Sequence, residues 1–250
     1  MLPRRSPPTG EALSESGPVR FPVPRALPIG EIPALVAEYR QAAAYALQAG
    51  FDGVEIHAAN GYLPDQFLQD GSNRRTDSYG GTIENRARFL LEVTEAAVAI
   101  WGEGRVGVRL SPSGTTGSMS DSNPTATFGY AAEQLNQFPL AYLHVIEPRV
   151  RGNETANHDA EPVAARALRR IYRGTLIAAG GFNRRGGDSI LAKRGADLVA
   201  YGRLFISNPD LPHRFREDLP ISPYDRSTFY GGDHRGYTDY PFATAHKRVA

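Results

Sequence analysis

The sequence predicts an α/β protein of the (β/α)8 TIM-barrel type, and an incomplete one. Strand-length apolar runs alternate with helix-length amphipathic ones along most of the chain, the pattern of a parallel sheet covered by helices. Five of these runs close with residues suited to chemistry or phosphate binding, as expected where the βα loops of a barrel converge at its carboxyl face. No G-x-G-x-x-G follows a first strand, so the dinucleotide fingerprint of the open, doubly wound alternative is missing. The five strands close with Val54-Glu55-Ile56-His57, Val106-Gly107-Val108-Arg109-Leu110, Tyr142-Leu143-His144-Val145-Ile146, Leu176-Ile177-Ala178-Ala179 and Leu198-Val199-Ala200-Tyr201-Gly202-Arg203. A closed barrel needs eight.

Taken in order, residues 1–30 hold Pro3, Pro7, Pro8, Pro18, Pro22, Pro24 and Pro28 among polar residues and Gly10. No apolar run there is long enough for a strand, so the segment reads as a Pro-rich arm or loop. The partial barrel is expected over residues 31–220. From Glu31 to Ala49 apolar residues recur at Ile32, Leu35, Val36, Tyr39, Ala43, Ala46 and Leu47, close to helical spacing, with Pro33 in the first turn and Gly50 past the end. The next helix runs from Thr82 to Trp101, with Thr82 as cap, Glu84 near its positive end, and Ile83, Ala87, Leu90, Leu91, Val98 and Trp101 turned inward. Gly102 and Gly104 end it. Shorter helical patterns cover Thr125 to Gln137, Glu161 to Tyr172 and Gly187 to Arg194. The strands between them are rich in Val, Ile, Leu and Ala without strict alternation, which suits burial on both faces. Residues 221–250 read as a C-terminal tail over the barrel.

Gly180-Gly181 and Gly202-Arg203 follow the last two strands. Barrels often bind phosphate with the loops after strands seven and eight, where close backbone approach needs glycine. Numbered from that end, the strand at His57 is the fourth, and strands 4 to 8 are the ones present.

Composition excludes several functions. The chain is 41% hydrophobic and 22% charged with a net charge of +1, and no apolar stretch is long enough to span a bilayer, so no membrane role is expected. Without clustered Lys and Arg or interleaved aromatics, it has no footprint for nucleic acid. With no cysteine, it has no disulfide, no thiolate nucleophile and no Cys metal site. The six histidines are scattered. His144 and Glu147 flank a strand end, but nothing else has metal-ligand spacing, so no metal is expected. Met1 to Arg5, followed by prolines, lacks the apolar core of a secretory signal, and a cytoplasmic setting is the default.

The densest chemistry lies in His57-Ala58-Ala59-Asn60-Gly61-Tyr62, immediately after a strand. His57 can donate from its imidazole and Asn60 from its amide, so both could hold one carbonyl oxygen and stabilise charge developing on it. Tyr62, beyond a flexible glycine, could deliver a proton. An isolated histidine would more simply satisfy a buried strand end, but here three donors lie within six residues. The mixed charges of Arg74, Arg75, Asp77 and Glu84 to Arg88 read instead as ion pairs fixing a loop.

These residues carry a family resemblance. Phe51 to Leu63, Gln66-Phe67-Leu68, Ser72 to Gly81, Glu84-Asn85-Arg86-Ala87-Arg88-Phe89, Val108-Arg109-Leu110-Ser111-Pro112, His144 to Arg149 and Asn208-Pro209-Asp210-Leu211 resemble the Old Yellow Enzyme family of flavin-dependent ene-reductases, from about Pro22 to the C-terminus. The resemblance implies an FMN cofactor, reduced by NADPH or NADH, that passes hydride to the β-carbon of an activated alkene. It implies that His57 and Asn60 hold the carbonyl or nitro oxygen of the acceptor and that Tyr62 protonates the α-carbon. Arg109 would lie beside the flavin ring, where a permanent cation tunes cofactor electronics. Gly180, Gly181, Gly202 and Arg203 match positions that cradle the flavin phosphate, and Tyr230 matches an aromatic lining the substrate pocket.

The family's first three strands carry further flavin contacts, including a threonine and a glutamine, and no positions here match them. Such a partial barrel is expected to expose strand edges and apolar interior side chains, and so to self-associate or be completed by an N-terminal portion. Two functions stay open: an FMN-dependent oxidoreductase acting on an enone or nitro compound, or a non-catalytic remnant or interaction partner that does not retain FMN. Coding sequence for three βα units directly upstream would favour the first. A flavin-free barrel enzyme acting on sugar phosphates would need a carboxylate base at a strand end, for which Glu147 is the obvious candidate.

Overall fold

The computed structural model describes residues 11–14, 17–148, 150–151, 154–155, 164–229 and 233–243. Along the chain these form a hairpin of β1 (Glu11–Ser14) and β2 (Gly17–Arg20), then α1 (Ile32–Gln48), β3 (Val54–Ala58), α2 (Leu63–Leu68), α3 (Ile83–Trp101), β4 (Val106–Leu110), α4 (Pro124–Leu135) and β5 (Tyr142–Ile146). A second small hairpin of β6 (Val150–Arg151) and β7 (Glu154–Thr155) follows, and then α5 (Ala164–Arg169), β8 (Leu176–Ala179), α6 (Arg184–Ala192), β9 (Leu198–Ala200), α7 (Arg203–Ser207) and α8 (Leu211–Glu217).

The main sheet has the order β3-β4-β5-β8-β9, and every neighbouring pair is parallel. Each new strand joins the same side as the last, so the order never reverses. A doubly wound sheet reverses at its switch point, whereas barrel winding does not. The five strands are therefore a barrel segment, as the sequence predicts, with β3 and β9 at its open edges.

Helix ends follow local chemistry. Thr82 Oγ1 accepts the Asn85 N–H at 3.3 Å at the head of α3, and Gly102 at φ 73° closes it. The Asn123 side chain caps α4 through Ala126 N–H at 3.1 Å, and Asn183 caps α6 through Gly186 N–H at 2.8 Å. Each such cap stabilises its helix by about 1 kcal/mol. One core runs between sheet and helices: Val106, Val108, Leu110, Leu143, Val145 and Leu176 pack against Ala87, Leu90 and Val93, and Phe67 stacks on Phe89 with centroids 4.4 Å apart.

The structure corrects four expectations. The arm holds a backbone-paired hairpin, Glu11 opposite Arg20 and Ser14 opposite Gly17, because strands of four residues can be held by their ladder without an apolar run. It stays outside the main sheet. The last strand stops at Ala200, and Arg203 begins α7 instead of ending a strand. α2, α7 and α8 were not anticipated, being five to seven residues long and too short to show a period. Finally, the strands are not enclosed equally on both faces: Val106, Val108 and Leu110 are enclosed, while on the other face Glu55, His57, Arg109, Tyr142, His144 and Ile177 stay out of the core, although Gly107, Ile146 and Ala179 beside them are buried. That second face is polar at Glu55, His57, Arg109, Tyr142 and His144 and apolar at Ile146, Ile177, Ala179, Leu198 and Ala200.

The charged run after β3 forms a structural network. The Arg75 guanidinium grips Asp77 and donates to Leu27 O at 2.6 Å, tying in the arm. The Asn73 amide donates to Phe67 O and Tyr79 O, both at 2.7 Å. Arg86 and Asp121, both buried, pair at 2.7 Å and join α3 to the loop after β4. Beyond α8 the chain turns back: Ser222 N–H donates to Asn208 Oδ1 at 2.8 Å, and the Arg214 guanidinium donates to Pro241 O at 2.8 Å.

Candidate functional site

The sheet register brings His57, Arg109 and His144 into one row on the face away from the core. Each holds a buried nitrogen without a hydrogen-bond partner among the described residues: His57 Nδ1, Arg109 Nε and His144 Nε2. Buried polar atoms normally find partners, so three orphans in one row point to a ligand that would supply them. The His57 ring lies against Tyr62, with centroids 4.7 Å apart. Burial and the neighbouring Arg109 cation both lower the His57 pKa, so its imidazole is neutral at pH 7 and can donate one proton in a hydrogen bond.

A second layer lies beneath. His144 Nδ1 is 2.9 Å from Glu55 Oε2. Burial opposes ionisation of Glu55, but the His144 hydrogen bond and the charges of His144 and Arg109 outweigh it and leave its pKa below the ordinary value. Burial and the Glu55 charge push the neighbouring Tyr142 phenol up to about 12.

The turn after β3 is unusual in its backbone. Asn60 and Gly61 are both left-handed, at φ 55° and 80°. A Cβ at Gly61 would lie 2.9 Å from Thr116 O, so glycine is required there for space as well as for φ. The turn is held from below: Asn60 N–H donates to Ser111 Oγ and Gly61 N–H to Asp65 Oδ2, each at 2.8 Å. Tyr62 then leads into α2 with 60% of its surface exposed.

Gly180 and Gly181 leave β8 at φ 104° and 66°, and the space around Gly202 is open. The Arg203 guanidinium lies 5.8 Å over the Tyr224 ring. A cleft of about 80 Å³ is lined by Asn60, Arg109, Ser113 to Thr116, Ile146, Glu147 and Gly180. It thus joins the carboxyl ends of β3, β4, β5 and β8, and its size suits one end of a ligand.

The structure therefore brings His57, Asn60, Tyr62 and Arg109 together and puts Gly180 on the same cleft, with Gly181 beside it. Gly202 and Arg203 follow β9 at the same edge of the sheet. Tyr230 lies outside the described residues. Glu147 is no free base: its carboxylate accepts the N–H groups of Ala164 and Ala165 at 3.1 and 2.7 Å, capping α5. Among the described residues no three His, Asp or Glu gather as metal ligands, and no helix is long and apolar enough to cross a membrane. Asp65 and Ser111 are the residues that sequence reasoning missed; Ser111 had surfaced only as part of a longer motif.

Comparison with known proteins follows the same lines. A family model described as NADH:flavin oxidoreductase / NADH oxidase family matches residues 5–222. The chain is 50% identical over 233 residues to 12-oxophytodienoate reductase 1 of Oryza sativa subsp. japonica, a match covering 91% of this chain and 60% of that protein. It is 50% identical over 226 residues to 12-oxophytodienoate reductase 2 of Arabidopsis thaliana, covering 89% and 59%. Among solved structures, morphinone reductase in complex with tetrahydroNAD superposes with a TM-score of 0.85 at 45% identity, over 96% of this chain and 64% of that one. The old yellow enzyme homologue from Zymomonas mobilis superposes with a TM-score of 0.88 at 38% identity, over 96% and 67%. The chain spans about 60% of the length of the curated relatives it matches.

Proposed function

Because this chain belongs to the NADH:flavin oxidoreductase / NADH oxidase family, we propose that it carries the acceptor-binding part of an FMN-dependent ene-reductase. Its reductant would be NADPH or NADH, and its acceptor the activated C=C bond of an α,β-unsaturated carbonyl or nitro compound. Relatives named as reductases of oxophytodienoate and of morphinone, both oxo compounds, are in keeping with that acceptor class. The observation that carries the reading is the row of buried nitrogens on His57 and Arg109, without partners among the described residues, beside Asn60.

The residues present fit a flavin. The Arg109 guanidinium, always charged, would lie against the ring system and favour negative charge on it. The left-handed pair Gly180-Gly181 and the open space at Gly202 would let backbone approach a phosphate, with Arg203 as its charged partner. When bound, FMN supplies the hydride that reaches the acceptor's β-carbon.

The rest of the work falls to side chains. His57, held neutral, and Asn60 donate hydrogen bonds to the acceptor oxygen, and both bonds strengthen as negative charge builds on it. Tyr62, packed on the His57 ring, gives its phenol proton to the α-carbon on the saturating alkene. The hydrogen bond between Glu55 and His144, 2.9 Å long, fixes the ring at the end of the row.

The test is to purify the chain, record its visible spectrum with and without added FMN, and then supply NADPH and 2-cyclohexen-1-one without oxygen. Retained flavin absorbance and formation of cyclohexanone are expected. A colourless protein that ignores FMN would instead support the non-catalytic alternative.

A further inference from the structure

We propose that Asp65 is a positioning residue: together with Ser111 it holds the left-handed turn that presents Asn60 and Tyr62, and it does so fully only as a carboxylate. The inference rests on the ene-reductase reading for what the turn presents, but not for how the turn is held.

Two consecutive left-handed residues turn their N–H groups toward one side, and the structure shows what receives them. Asn60 N–H donates to Ser111 Oγ at 2.8 Å, and Gly61 N–H donates to Asp65 Oδ2 at 2.8 Å. The Ser111 hydroxyl, already accepting from Asn60, lies 3.5 Å from the same Oδ2 and directs its own proton there. Gln69 Nε2 donates to Oδ1 at 2.8 Å, and Gln66 Nε2 donates to Gly61 O at 2.6 Å. A left-handed asparagine persists only where its surroundings over-determine it, and this carboxylate is the shared acceptor of that arrangement.

Asp65 is an expensive way to hold a turn. It is fully buried, and its partners are neutral donors. The charged group whose field reaches it is Asp121, of the same sign and itself paired with Arg86, while Asp70 beside that pair is engaged by Ser122. Burial accordingly pushes the Asp65 pKa up to about 6. An uncharged amide or protonated carboxyl of the same shape would escape that burden but would put a donor where one of these oxygens accepts, so acceptors on both oxygens are what ionisation supplies. Protonation puts an O–H where Oδ2 accepts two donors, which releases the Gly61 N–H or the Ser111 hydroxyl and loosens Asn60 and Tyr62.

The test reads the turn directly in the ¹⁵N-labelled chain. Between pH 5 and 8 the amide resonances of Asn60 and Gly61 should move together with one midpoint, and the ring contact of His57 with Tyr62 should weaken on the acid side. In Asp65→Asn that shared titration should vanish, while any titration of His57 itself remains. Ser111→Ala should disturb Asn60 N–H and spare Gly61 N–H. With FMN bound, phenol affinity should fall about fivefold from pH 7.5 to 5 through Asp65, the scale of one hydrogen bond, and this part should be absent in Asp65→Asn. Amides that stay flat in the wild type, or that titrate identically in Asp65→Asn, would overturn the proposal. A chain that takes up no flavin would defeat the ene-reductase reading and leave the amide result to decide this one.

Discussion

His57 and Arg109 sit opposite each other in the parallel register of β3 and β4, and each holds a buried nitrogen that meets no partner among the described residues. Neighbouring cations and imidazoles have no reason to attract one another; the Arg109 charge helps to lower the His57 pKa. Their juxtaposition makes sense as two walls of one binding place, one permanently charged and the other neutral. Replacing Arg109 with methionine keeps the stem and removes the charge. FMN affinity, followed by quenching of flavin fluorescence, is expected to fall at least tenfold, in line with the 1.5–3 kcal/mol of a hydrogen bond to a charged group (roughly).

Tyr62 is the proposed proton donor, exposed and packed on His57. Tyr62→Phe keeps the ring contact and removes the proton. Turnover of an enone should drop by about 10²- to 10⁴-fold, the usual scale for general acid catalysis, with acceptor affinity nearly unchanged. Steady-state kcat and KM separate the two effects.

Arg86 and Asp121 fasten the loop after β4, whose residues Ser113 to Thr116 line the cleft. Arg86→Met strands a buried carboxylate, although the Asp70, Asn123 and Thr127 donors remain to it. A loss of about 3 kcal/mol is expected in urea unfolding.

Much of this fold was legible because its signals are local. Val106 to Leu110 and Tyr142 to Ile146 are strands end to end as their Val and Leu content indicates, and Thr82 caps α3 where a threonine before an apolar period should. Of the site, His57, Asn60 and Tyr62 were visible as donors crowded after one strand. Asp65 and Ser111 were not, because their meaning lies in a contact across 46 residues of chain. The uneven burial of the two faces was hidden for a related reason: Glu55, His57 and Arg109 interrupt apolar strands on one side only, and composition alone does not say which side faces helices.

Asp65 also predicts how stability depends on pH. Its folded pKa of about 6 lies above its ordinary 3.8, so its contribution is fully present below about pH 4 and is lost as pH rises through 6. The change is about 3 kcal/mol, at about 1.4 kcal/mol per unit. Asp65→Asn should flatten this slope, measured as urea unfolding compared at pH 5 and pH 7.5.

The central claim is that His57 and Asn60 grasp the oxygen of a ligand lying against a flavin bound at the carboxyl ends of the same strands. Titrating the FMN-loaded chain with phenol, in the wild type and in His57→Ala and Asn60→Ala, tests it most directly. The account predicts a shift of the flavin spectrum in the wild type, and phenol binding weakened about tenfold or more in each variant, with FMN affinity held within about twofold. A wild-type spectrum that ignores phenol, or variants that bind it as tightly as the wild type, would contradict it.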